Sequence, residues 1–177
     1  MLTDIALLEI FDFYLHHNLL EAWYTLVHVC QKWRNIVLGS PHRLKLQLVC
    51  TATTPVRKML AIWPPLPLFI GEGLSNRDMD NIFAALEHND RARVIMLRLV
   101  SRFRMEKVWA ALEEPFPELT QLNLGFRDKG ETVPVVPDLF LGGSAPRLHF
   151  LSLTHVPFPF PVLRKLHLSA PPHPSFP

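Results

Sequence analysis

The sequence predicts a protein of the α+β or α/β class: a short all-helical head at residues 1–40 and a longer body at 41–168 in which strand, connector and helix recur. Three observations predict it. Apolar residues from Leu19 to Val37 recur at alternating spacings of three and four, the signature of one buried helical face. After Ser40 the pattern changes to short alternating runs separated by proline, as expected of strands with one buried side. Those runs then return at a near-constant interval. Residues 169–177 have neither pattern and form a proline-rich tail expected to be disordered.

At 177 residues and 49% apolar content the chain can bury a core. Eighteen basic residues nearly balance sixteen acidic ones, so the broad positive field that drives binding to phosphate backbones or anionic membranes is missing. Nucleic acid and membrane are therefore not expected partners. Cys30 and Cys50 sit in apolar patterns without a C-x-x-C partner, which favours packing over a disulfide framework and a reducing, intracellular compartment, cytoplasm or nucleus. Asp4, Glu9 and Asp12 interrupt the first apolar stretch, so neither a signal peptide nor a membrane span is expected. Ten of the seventeen prolines fall between Pro134 and Pro177, which excludes long helices there.

Residues 4–15, DIALLEIFDFYL, are polar only at Asp4, Glu9 and Asp12. Leu8, Phe11 and Leu15 form one apolar row and Leu7, Ile10 and Tyr14 another. A helix with two such rows needs two partners: its own domain and another protein, or two parts of the same chain. His16, His17 and Asn18 break the pattern. The second stripe (Leu19, Ala22, Leu26, Val29, Trp33 and Ile36, with Trp23, Cys30 and Val37 beside them) then runs to Gly39, a helix stop. The head is expected to be a helical hairpin or trio with Trp33 as its keystone. Truncating a buried Trp costs roughly 3–5 kcal/mol.

Leu2-Thr3-Asp4, Leu7-Leu8-Glu9-Ile10-Phe11, Leu15 and Val29-Cys30-Gln31-Lys32-Trp33-Arg34 resemble an F-box, whose pattern is L-P-x-E/D-x-L-x-x-I-F-x-x-L followed by V-C-x-x-W. Thr3 stands where the family has proline and Ile5 where it has an acidic residue. Thr3 retains the hydroxyl that can cap a helix. The resemblance implies a three-helix motif that docks on the Skp adaptor of a cullin-type ubiquitin ligase through Leu2, Leu7, Ile10, Phe11, Leu15, Val29, Cys30 and Trp33. The remainder would then recruit the protein to be ubiquitinated. Segments such as VCQKWRNIVLGSP and FLGGSAPRL resemble the large F-box-like families of mushroom-forming fungi.

In the body, Leu44, Leu46 and Leu48 predict a first strand. Thr54-Pro55 opens a helix over 55–62, with the threonine as cap and the proline in the first turn. Strands follow at 66–70 and 94–100, with a loop at Gly71-Glu72-Gly73. Helices are expected at 78–88, capped by Ser75 or Asn76, and at 105–112. The pattern L-x-x-L-x-L occurs at Leu119, Leu122, Leu124 and at Leu148, Leu151, Leu153, with Val94, Leu97, Leu99 as a variant, the starts 25 and 29 residues apart. Leucine-rich repeats run about 20–29 residues, so an irregular leucine-rich-repeat-like solenoid is expected. A further copy, Leu163, Leu166, Leu168, follows too soon and is assigned to the convex return side. The alternative is a mixed α/β domain whose leucines only mark half-buried strands. A solenoid needs a polar closing repeat, which the last residues lack. Either the chain stops short at its C-terminus, or a complete protein carries a disordered tail.

No catalytic, cofactor or metal site is expected. The nine histidines lack H-x-x-x-H or H-E-x-x-H spacing. Gly142-Gly143-Ser144 lacks the second glycine of a nucleophile elbow, with Pro146 in its place. Glu113 and Glu114 are adjacent and diverge on a helix. What remains is recognition by surface: on a concave face the strands would expose Arg98, Gln121, Asn123, His149, Phe150 and Ser152 as target-binding candidates. The expected function is thus a non-enzymatic ligase adaptor. The alternatives are a stand-alone interaction or scaffold repeat protein, or a truncated paralogue without ligase association.

Overall fold

The computed structural model describes residues 2–17, 20–71, 79–99, 101–126 and 135–156, and the backbone of 167–168. Three helices form the head: α1 (Asp4–His16), α2 (Trp23–Val29) and α3 (Gln31–Gly39). Thr3 caps α1, its Oγ1 accepting from the Ala6 N–H at 3.3 Å, which satisfies one of the amides a helix start leaves unpaired. The stripe from Leu19 to Val37 is not one helix. Cys30 is fully extended, with φ −161° and ψ 167°, and splits it in two. Arg34 closes the corner, its Nε donating to the Val27 carbonyl at 3.0 Å.

The body is a sheet of five parallel strands whose spatial order is their chain order: β1 (Leu48–Cys50), β2 (Leu68–Gly71), β3 (Ala92–Leu99), β4 (Gln121–Phe126) and, last, β6 (Phe150–Thr154). Helices α4 (Val56–Ile62), α5 (Asp80–Leu86) and α6 (Arg102–Ala111) fill the first three connections. They pack side by side behind the sheet. Between β4 and β6 the chain forms a 3-10 turn (Phe140–Gly143) and the short β5 (Ser144–Ala145). The latter pairs with β7 (His167–Leu168) in a second small sheet, so Leu168 lies outside the main sheet, whereas Leu163 and Leu166 fall outside the described residues. So do Leu19, the caps expected at Ser75 or Asn76, and the tail at 169–177.

Several local expectations are corrected. Leu44, Leu46 and Leu48 are all buried, but residues 41–45 turn instead of running as a strand, with Lys45 at φ +50°. Burial alternates there because a turn followed by a strand can deliver the same side chains inward. Thr54 does not cap α4; the cap position is Pro55, and the Thr54 hydroxyl accepts from the Thr51 N–H. Gly71 belongs to β2, where the Phe69 ring lies 2.6 Å from the place a Cβ would occupy. A side chain at 71 would displace that ring.

Register settles how the leucines align. Leu97 pairs with Leu124 and Leu124 with Leu153; Ile95 pairs with Leu122 and Leu122 with Leu151. The unit preceding Leu119 therefore begins at Ala92, with Ile95 and Leu97, and not at Val94. The intervals become 27 and 29 residues. Ala92, Leu119 and Leu148 are all buried.

Head and body share one core. Leu7, Phe11, Trp23, Leu26, Val27 and Val37 of the head belong to the same continuous cluster as the inward residues of the strands. The keystone is Trp23, 1% exposed, and not Trp33. Its ring stacks on Tyr24 with centroids 4.0 Å apart and meets Trp63, just past α4, edge-on at 5.0 Å. Its Nε1 donates to the Gln47 carbonyl at 2.9 Å. Trp33 is half-buried and packs on Phe11 at 4.8 Å.

Candidate functional site

Two surfaces stand out, one on the head and one on the sheet. Leu7 and Phe11 point into the shared core, with Leu8, Tyr14 and Leu15 partly covered. The opposite side of α1 is left open: Ile5 is 71% exposed, Phe13 70%, Leu2 58% and Ile10 49%. Exposing four large apolar groups on one helix and its approach forgoes on the order of 1–2 kcal/mol of burial per side chain, about half to two thirds of the value for full burial, and such concentrations mark interaction surfaces. Val29 and Cys30 are also exposed. The Lys32 ammonium, two residues on, reaches Asp4 at 3.0 Å and the Leu2 carbonyl at 3.4 Å, which places the Val29–Cys30 corner at the N-terminal end of α1.

Of the eight residues singled out in the head, Leu2, Ile10, Val29 and Cys30 are thus at the surface. Leu15 and Trp33 are half-buried, and Leu7 and Phe11 hold the fold. Ile5 and Phe13, exposed beside them, are not among the eight. They lie outside the two rows that periodicity picks out, and only knowing which row turns inward exposes them.

On the sheet, alternate residues face away from the helices. Phe69, Val94, Gln121 and Phe150 share one register row, and Gly71, Met96, Asn123 and Ser152 the next. A third holds Arg98, Gly125 and Thr154, with the Arg98 stem over Gly125 at 3.6 Å from where a Cβ would stand. Arg98, Gln121 and Phe150 are exposed, and Asn123 and Ser152 half-exposed. His149 precedes β6 and lies beyond the end of this face, with Arg93 and Arg147. The face combines apolar and polar groups without one chemical theme.

The residues with chemical potential elsewhere have structural roles. Gly142 has φ +59°, and a Cβ there would stand 2.8 Å from the Pro115 nitrogen. The adjoining Leu141 N–H donates to the Leu112 carbonyl at 2.6 Å. The Gly-Gly pair thus lets the chain pass over the end of α6. Burial pushes the Cys50 thiol up to about 11, partly offset by Arg91. Among the described residues no three His, Cys, Asp or Glu side chains gather as a metal would require, and no helix is long and apolar enough to cross a membrane. No protein-family model, curated protein or solved structure matches the chain.

Proposed function

We propose that the chain is a non-enzymatic adaptor. The three-helix head docks, as an F-box does, on a Skp-type subunit of a cullin ubiquitin ligase, and the body is a leucine-rich-repeat-like solenoid whose open sheet face holds the target protein. The single observation carrying this reading is the uncovered apolar side of α1. A helix that only capped the body would turn its largest side chains inward, yet Ile5, Ile10 and Phe13 face out. Chain-ordered parallel strands, with β4 buried on alternate residues, support the repeat reading, because parallel sheets of other kinds are covered on both faces. Catalysis then belongs to partners, and this chain supplies proximity.

The test is co-expression with a Skp subunit, comparing the parent chain with Ile10→Asp/Phe13→Asp. A stable complex is expected, burying about 1,600 Å² in total, and the double variant should lose it while its thermal midpoint stays within a few degrees. A chain that purifies as a lone monomer without Skp affinity, or a complex indifferent to both substitutions, would overturn the proposal. Leu7, Phe11 and Trp33 are poor choices for this test because their loss also weakens the fold.

A second reading, a stand-alone repeat protein whose head caps the first strand, draws on the Trp23 to Gln47 hydrogen bond. That bond ties α2 to the residue before β1.

A further inference from the structure

At the end of the sheet where the strands begin lies an open groove of about 520 Å³, formed by the segments that lead into successive strands. His42 comes from before β1, Pro65 and Pro67 from before β2, Asp90 and Arg91 from before β3 and Arg93 from its start, Glu118 and Thr120 from before β4, and Arg147 and His149 from before β6. The ladder continues into it: the Thr120 N–H donates to the Arg93 carbonyl at 2.8 Å and the His149 N–H to the Thr120 carbonyl at 2.9 Å. Arg93, Thr120 and His149 are therefore one row across three strands.

Three arginines face two carboxylates here, and His42 and His149 line the groove beside them. The arginines are not equivalent. Arg91 is fixed, its Nε and Nη2 both donating to the Leu66 carbonyl at 3.1 and 2.8 Å. Arg147 is paired with Glu118. Arg93 is exposed and has no ion-pair partner among the described residues.

We propose that this groove binds an acidic segment of another protein in extended conformation, with Arg93 as its principal carboxylate contact and His149 as a second. Shape favours a chain over a small anion. Strands lie about 4.8 Å apart, so the groove from β1 to β6 is on the order of 19 Å long, which an extended segment of about six residues spans at ~3.3 Å per residue. Charge sets the sign. The free guanidinium of Arg93 offers a planar fork matched to a carboxylate, and Arg91 behind it contributes positive charge. The site is separate from the apolar side of α1 and does not depend on how the head is read.

The experiment is fluorescence anisotropy with the full chain and a labelled ten-residue Glu-rich peptide, against the same peptide with Gln at every Glu. The Glu peptide should bind at least tenfold more tightly, and its affinity should fall as salt rises. Arg93→Glu should weaken it at least tenfold without moving the thermal midpoint. Lys58→Glu on α4, the same charge change at an exposed position that does not line the groove, should leave it within twofold. Equal binding of the Gln peptide, no effect of Arg93→Glu, or equal losses from both variants would overturn the proposal. Inorganic phosphate at millimolar concentration should not displace the peptide; displacement through the same Arg93 dependence would assign the groove to a small anion instead.

Discussion

The indole N–H of Trp23 donates to the backbone carbonyl of Gln47 across the junction of head and body. Trp23→Ala should cost roughly 3–5 kcal/mol, and Trp23→Phe about 1–2 kcal/mol through the lost hydrogen bond and trimmed ring. Because the core is shared, urea unfolding followed by circular dichroism should show one transition moving as a whole. Two separated transitions in Trp23→Ala would mean that head and body are independent. Trp33→Ala, at a half-buried site, should cost less than Trp23→Ala.

Gly142→Ala should destabilise the fold by about 1–3 kcal/mol, since a Cβ at φ +59° would also press on Pro115. Neighbouring Gly143 has φ +72°, so its replacement should also cost stability through the backbone conformation. Thermal unfolding of the two alanine variants checks both.

The two cysteines should separate cleanly in thiol labelling at pH 8. Cys30 is exposed and Cys50 buried, so one equivalent should react quickly and the second only as the protein opens. A second fast equivalent would contradict the burial of Cys50.

Alkali should weaken the fold in a defined window. Burial holds the Cys50 thiol at about 11, above its ordinary 9.0, so folding favours the neutral form. The resulting stabilisation is complete below about pH 9 and is lost as pH rises through about 11. Burial, with the Glu21 carboxylate adding to it, likewise raises the Tyr24 phenol. The Tyr24 hydroxyl meets no hydrogen-bond partner among the described residues. Tyr24→Phe should therefore be neutral or stabilising by about 1 kcal/mol, and Cys50→Ala should flatten the decline between pH 9 and 11. Urea midpoints measured from pH 7 to 11 test both.

How far the sequence reveals this fold depends on whether neighbours within a few residues decide the outcome. Leu122, Leu124, Leu151 and Leu153 are legible because alternation and recurrence point the same way. Ala92 is not, since a small buried residue gives no hydrophobic peak, and its invisibility displaced the preceding unit by two residues. The extension at Cys30 is hidden because apolar spacing continues across it; only the Arg34 contact with Val27 reveals the corner. Trp23 and Trp33 occupy comparable stripe positions, and what separates them is Trp63 and Gln47, many residues away. In the head, periodicity identifies an over-apolar helix but not which side the body covers.

Each strand of the main sheet lies beside the previous strand of that sheet, and the ties between them span modest separations: Trp23 to Gln47, Asn81 to Ala52, Glu118 to Arg147. Loop closure is therefore inexpensive at every step, and folding should be faster than in sheets whose neighbours are distant in sequence. A ribosome could deliver this molecule as a growing edge. The head and first strand would settle together, and each later strand would find its docking site already built when it left the exit tunnel.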